Sequence, residues 1–398
     1  MTSTHETTPL TTDFDSVLTA VGAAVPALRD NGIQAEADRW LPEESIRLLT
    51  EAGVFRVAVP ERFGGLELPV AQVARVLAEV GRGCGSSAWT ASAATEGAYL
   101  ASLLPDRAQE EIFADIDTRF SISVAPTSMY TETDGGYKLN GACPFASGCR
   151  GAEWSFVAGA LQRADGSWGQ LLGVVPTTEL VIVDDWQVSA AAGTGSCTIT
   201  IGDVFVPAHR VITVDQMFYG GDPSRAGAAR PGRTYAFMGL LLAESAATIV
   251  GTARGAYELF LERVPGKPIT FTTWFDQAQH PITHAQIGTA AAKLAAAEAL
   301  LDRCAALLQD RADARAEPTV DEKLALRGHA GYAVQLAREV VDDLYTASGG
   351  SVIRTSNHFQ RFHRDVLAFA NHGLLQPSVG AEAYGRSLLG LEPTIPLI

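Results

Sequence analysis

Positive charge is scarce in this chain of 398 residues. Its 30 Lys and Arg stand against 45 Asp and Glu, a formal net charge of −15 at pH 7. Phosphate backbones and anionic lipid surfaces are both recognised by clustered Lys and Arg, so neither nucleic acid nor a membrane is expected as a partner. No apolar run is long enough to cross a bilayer. The opening stretch MTSTHETTPLTTDFD has neither the basic start nor the apolar segment of a secretory signal, and it reads as a short disordered lead. Cysteine is sparse as well. Five in a chain of this length make no disulfide framework and point to reduced thiols in a cytoplasmic protein. Cys143 and Cys149, in the stretch CPFASGCRGAEW, have no His or Cys pair nearby at zinc-type spacing, so no metal site is expected and the two thiols read as packing. There is no internal repeat, P-loop or GxGxxG fingerprint.

What is present is an ordinary globular composition, 47% hydrophobic, long enough for two or three domains. Three regions differ in period. Residues 13–117 read as helical. Pro42 followed by Glu43 and Glu44 starts a helix that Gly53 closes, and Val73, Val76, Leu77 and Val80 share one face of another. Residues 118–220 alternate with a period of two, as in TITIGDVFVP, with the turn signals TDGGY and ADGSW between runs, and predict an antiparallel sandwich or barrel. Helical periodicity returns over 235–398. Ile287, Ala291, Leu294, Ala297, Leu301, Ala305 and Leu308 form one stripe, and Val334, Ala337, Val341 and Leu344 another, as in a bundle. Residues 222–233, DPSRAGAARPGR, read as a linker or a mobile loop over a site.

The order helices, sheet, helices comes with particular motifs. WQVSAAAGTGSCTITIGDVFVPAHRVI, EAGVFRVAVPERFGG and ASGGSVIRTSNHFQRFHRDVLAFANHG together resemble the acyl-CoA dehydrogenase fold over nearly the whole chain. The resemblance implies an α+β protein with an N-terminal helical domain, a central antiparallel β-domain and a C-terminal four-helix bundle. Many members carry a catalytic glutamate eight residues after the Arg-Asp pair. Here that position is Gly373, and the run after Asp365 holds no acid. PFASG, GTGS and RDVLAFANH instead resemble the two-component flavin-dependent monooxygenases of this fold. That branch implies reduced FMN or FAD delivered by a separate reductase, O2 as co-substrate, a flavin C4a-hydroperoxide, a homotetramer, and a small aromatic or amine substrate. The rival readings are an acyl-CoA dehydrogenase with tightly bound FAD and a redox-silent binding or cyclising member.

By resemblance, Ser147 lies where a hydroxyl accepts a hydrogen bond from flavin N5–H. The small residues Ala146 and Gly148 admit the ring edge, and Phe145 helps keep water out. His372, expected on a helix, is the side chain suited to supply a proton near neutral pH, and a substrate contact. Trp89 matches an aromatic of the flavin and substrate pocket. Glu96 falls where phenol-hydroxylating relatives have a histidine, and as an ionised carboxylate it would favour a cationic substrate. Ser123, Ala125 and Thr127 match the strand along the flavin pyrimidine. Lys267 or Arg263 could neutralise a flavin phosphate, and Ser348, Gly349 and Gly350, with Arg361 and Arg364, resemble a segment near the cofactor and a subunit interface. Arg364 and Asp365 could equally form a structural ion pair.

Overall fold

A computed structural model describes residues 13–163, 165–218, 221, 225, 230 and 232–395. The lead before residue 13 and most of the 222–233 linker lie outside the described residues. Five helices come first: α1 (Phe14–Asp38), α2 (Glu43–Glu51), α3 (Val70–Gly83), α4 (Gly85–Ser102) and α5 (Asp106–Ile112). The Asp13 side chain caps α1 by accepting from Ser16 N–H at 2.8 Å. Pro42 precedes α2, and Gly53 follows it in the left-handed conformation, φ 78°. The apolar face of α3 is buried as its spacing predicts.

Helix α4 is different. Every residue in it except Trp89 is buried. Its Gly, Ala, Ser and Thr side chains are short enough for neighbours to close in from all sides. A Cβ on Gly97 would run into the ring and Cβ of Phe120 on the adjoining strand.

The sheet has seven strands: β1 (Phe120–Thr133), β2 (Gly136–Cys143), β3 (Trp154–Gln162), β4 (Trp168–Pro176), β5 (Val181–Val183), β6 (Thr198–Pro207) and β7 (Val211–Thr213). Their order is β5-β6-β2-β1-β3-β4-β7. The expectation of an antiparallel domain needs one correction, because β1 and β3 pair in parallel, from Phe120↔Trp154 onward. The reason is connectivity. Chain β2 returns beside β1 as a hairpin, and residues 144–153 then cross the end of β1 and lay β3 along its other edge in β1's own direction. The crossing segment is the stretch that holds Ser147, and a single bridge, Ile122↔Ser147, pins it to β1.

A short helix α6 (Val214–Phe218) leads towards the C-terminal part: α7 (Phe237–Arg263), α8 (Pro281–Asp313), α9 (Val320–Ala347), α10 (His358–Phe369) and α11 (Pro377–Leu388). The three long helices pack on one another, with α10 against α7 and α9 and α11 against α9. The α9 stripe is fully buried. On α8 the stripe is buried from Leu294 to Leu308, while Ile287 is half-buried and Ala291 exposed, because the buried face of the first turns runs through Thr283 and Ala290 instead. Cys143, Cys149 and Cys197 lie in the apolar interior of the sheet domain, and all five thiols are free and buried.

Candidate active site

Trp89, the one residue of α4 that is not buried, gathers three parts of the chain. Its indole stacks on Phe369 at the end of α10, with ring centroids 4.5 Å apart and planes at 6°. The edge of His372 meets the same indole at 5.6 Å and 63°. Indole Nε1–H donates to Ser147 Oγ at 3.1 Å. Three residues singled out from the sequence therefore meet around one ring. His372 is not on a helix, however. It lies in the turn after α10, with its backbone N–H donating to Phe369 O at 2.9 Å and its carbonyl accepting from Leu375 N–H at 2.8 Å. The residue is exposed at its outer side, while the packed side loses solvent, and that desolvation lowers the imidazole pKa below its usual 6.5. The neutral ring thus predominates near pH 7.

Behind Ser147 stands a chain of hydroxyls that sequence reading left unassigned. Ser147 Oγ is 2.8 Å from Ser196 Oγ, which is 2.7 Å from Thr194 Oγ1, and Thr194 Oγ1–H donates to Ala191 O at 2.8 Å. Ser196 and Thr194 are buried. Asp365, on α10, fixes this turn by accepting from Ala191 N–H at 2.6 Å, and Ala191 takes the left-handed φ of 54°. Burial raises the Asp365 carboxyl to about 6 against the opposing Ala191 N–H bond. The alternative Arg364–Asp365 ion pair does not form. Arg364 reaches Glu36 at 2.6 Å, and Arg361 donates to Arg29 O at 2.8 Å. The signal for these residues was present in GTGS, but a motif does not reveal which hydroxyl faces which.

Next to this chain the pairing of β1 lapses between Ser123 and Ser128. Ser123 is buried, whereas Val124, Ala125, Pro126 and Thr127 are exposed. Phe145 does not exclude water within this chain. It is 71% exposed, holds a φ of 60°, and sets its ring against Trp186.

Glu96 lies two turns along α4 from Trp89, buried among hydroxyls. Its carboxylate accepts from Ser92 Oγ at 2.8 Å and Ser245 Oγ at 3.2 Å, while Thr95 Oγ1 donates to the adjacent Glu244 at 2.6 Å. Burial, opposed by the Ser92 and Ser245 bonds, pushes Glu96 up to about 8, and burial together with the Glu96 charge raises Glu244 as well. The expected anion for a cationic partner is therefore a neutral acid at pH 7.

A second cluster lies at the far ends of α7 and α9. Arg263 Nη2 donates to Ser348 O at 2.9 Å, and Lys267 Nζ donates to the same carbonyl. Gly349, φ 69°, and Gly350 turn the chain there. Burial, helped by the Arg263 charge, lowers Lys267 to about 8. Arg263 and Lys267 border an open cleft of about 630 Å³ whose walls include Arg354, Asn357 and His358 but none of Trp89, Ser147 or His372.

Residues 22–111 match the acyl-CoA dehydrogenase N-terminal domain and residues 243–377 match the acyl-CoA dehydrogenase C-terminal domain. The chain is 32% identical to the FADH(2)-dependent resorcinol hydroxylase oxygenase component of Rhizobium sp. (strain MTP-10005), over 94% of each chain. It is also 32% identical to the flavin-dependent monooxygenase oxygenase subunit HsaA of Mycobacterium tuberculosis, over 96% of this chain and 97% of that one. The solved structure of XiaF from Streptomyces sp. in complex with FADH2 and glycerol superposes with a TM-score of 0.90 at 28% identity, covering 97% of this chain and 98% of that one. This chain belongs to the flavin-dependent monooxygenase branch of the acyl-CoA dehydrogenase superfamily.

The residues present fit the flavin this family uses. Two buried hydroxyls of α4, Ser87 Oγ and Thr90 Oγ1, have no hydrogen-bond partner among the described residues. Such groups are costly unless something supplies the missing bond. Gly148, φ 78°, crosses above Thr90, and a Cβ there would come within 3.3 Å of Thr90 Cγ2. The open stretch of β1 adds exposed backbone beside them. A planar, polar ring suits a place where Ser147, Trp89 and Thr90 lie near unpaired strand.

Proposed function

We propose that this protein is the oxygenase component of a two-component monooxygenase that takes reduced FMN or FAD from a separate reductase and, with O2, hydroxylates a small aromatic molecule. The observation that carries this reading is the meeting of Ser147 and His372 on the Trp89 indole. Bound reduced flavin supplies the electrons that activate oxygen. The chain's own task is to hold protons in place and to keep water away. Ser147 would accept from flavin N5–H and keep that proton from leaving. His372, neutral near pH 7, would collect a proton and deliver it where oxygen is reduced. Trp89 would lie between the cofactor and the substrate. Ser123, Ala125 and Thr127 would border the pyrimidine end, and Lys267, in the cleft at the end of α7, with Ser348, Gly349 and Gly350 beside it, would meet the phosphate end. Because Glu96 is a neutral acid at pH 7, it can donate a hydrogen bond to a phenolic oxygen, which favours aromatic hydroxylation over oxygenation of a cationic amine.

A homotetramer accords with the apolar surface around the α7–α8 connection, where Phe271, Trp274, Phe275 and Ile282 are all exposed. The free thiols accord with a cytoplasmic location. No described helix is long and apolar enough to cross a membrane.

The deciding experiment mixes the protein with reduced FMN or FAD, then with oxygen. Binding of the reduced flavin and an oxidation course unlike that of free flavin are expected. Ser147→Ala should raise the H2O2 released per flavin oxidised several-fold. If flavin oxidises at its free-solution rate with or without the protein, the proposal is wrong.

A further inference from the structure

The hydroxyl chain behind Ser147 has a direction, and the direction follows from counting hydrogens. Ala191 O is a carbonyl and can only accept, so the bond from Thr194 uses the one hydrogen that Thr194 Oγ1 owns. Ser196, 2.7 Å from Thr194 Oγ1, must then be the donor in that pair, which spends its hydrogen. Ser147, 2.8 Å from Ser196 Oγ, must in turn donate to Ser196. On the opposite side Trp89 Nε1–H can only donate, so Ser147 accepts from it at 3.1 Å. Every hydrogen is then assigned. Ser147 has none left to offer and keeps one free lone pair. The start of the chain is anchored, because Ala191 O also accepts from Thr194 N–H at 3.1 Å and Trp186 Nε1–H at 3.3 Å, and Asp365 holds Ala191 N–H at 2.6 Å. Thr194 and Ser196 are at most 4% exposed, so water does not compete for their hydrogens.

We infer that Thr194 and Ser196 are positioning residues that lock Ser147 as a hydrogen-bond acceptor, so that the site selects reduced over oxidised flavin. The inference rests on the proposed function, in which Ser147 faces flavin N5. Reduced flavin carries a hydrogen on N5 and finds the Ser147 lone pair. Oxidised flavin presents a lone pair on N5, and two lone pairs face one another. A serine free to turn its hydroxyl would serve both forms. The locked serine serves one, which suits a protein that must capture reduced flavin and release the oxidised form.

The test is equilibrium binding, with no turnover. Dissociation constants for oxidised FMN and, anaerobically, for reduced FMN are measured for the full-length protein and its variants. The parent should bind the reduced form more tightly. In Ser196→Ala the Ser147 hydrogen loses its acceptor. In Thr194→Val the Ser196 hydrogen loses its own and can turn to Ser147. Both variants should lower the ratio of oxidised to reduced dissociation constants about tenfold, the size of one hydrogen bond to a site that can no longer exclude the wrong partner. The bound flavin's midpoint potential should fall by about 30 mV for that tenfold change. Thr194→Ser keeps the hydroxyl and should restore the parental ratio, which a general loosening of the loop would not do. Near-unchanged melting temperatures identify variants that fold, and Thr194→Val and Ser196→Ala attack different links, so either one suffices. If the parent prefers reduced flavin and both variants keep its ratio, the polarity lock is refuted while the oxygenase reading stands. If the parent binds neither flavin, the oxygenase reading falls and the lock with it.

Discussion

Glu96 and Glu244 meet across the contact of α4 with α7, and hydroxyls are the hydrogen-bond partners they find there. Burial holds the protons on both carboxyls, because each charge would be unsolvated, and the Glu96 charge adds to the effect on Glu244. This has a consequence for stability. The folded Glu96 keeps its proton to about pH 8, while in the unfolded chain it ionises near its ordinary 4.5. Between those values the unfolded chain binds fewer protons than the folded one, so stability is full below about pH 4.5 and is lost as pH rises towards 8. Glu96→Gln cannot ionise and should lose this share of the slope. Thermal melts from pH 5 to pH 8 should show the parent falling more steeply than E96Q, and parallel curves would refute the assignment. The identity of Glu96 is plain in the sequence. Its protonation state is not, because the burial that raises it is made by packing against α7, a helix distant in the chain.

At the scale of elements, α4 is the support on which the site rests. It carries Trp89, Thr90 and Glu96, and it touches β1, α3, α7 and α10. Gly97 permits the approach to β1, since any Cβ there would collide with Phe120. Alanine is the better helix former by about 1 kcal/mol, yet overpacking typically costs about 1–3 kcal/mol, and Phe120 is itself fully buried with little room to yield. Gly97→Ala should therefore lower the urea midpoint and push α4 off the sheet, carrying the Trp89 indole with it. Weaker flavin binding alongside the lower midpoint is expected, and unchanged values for both would show that the interface relaxes freely. Such buried, small-residue helices are hard to read from a sequence because they have no polar face to set a period. The stripe on α3 was legible because one side of that helix meets solvent. The parallel pairing of β1 with β3 was not, since strand periodicity says which face a residue takes and nothing about which neighbour the strand chooses.

For the whole molecule, the exposed aromatics between α7 and α8 set the expectation. Phe271 and Phe275 are 104% and 80% exposed, an arrangement a monomer in water seldom keeps. Sedimentation should show a tetramer of the 42.1 kDa chain, and the double change Phe271→Ser with Phe275→Ser should yield smaller species without loss of helical content. A parent sedimenting as a monomer would overturn the tetramer. The sequence by itself determined the three-part order and the absence of a signal for nucleic acid or membrane, and through its motifs' family resemblance it offered Ser147, Trp89 and His372 as candidates, because composition, period and short motifs are local properties that one stretch of chain can carry. Tertiary structure alone decided the rest: the indole that joins Ser147 to His372, the neutral state of Glu96, and the direction of the hydroxyl chain from Ser147 to Ala191. Each of these depends on a hydrogen or a charge balanced between segments far apart in the chain, and only packing brings such segments within a few ångströms.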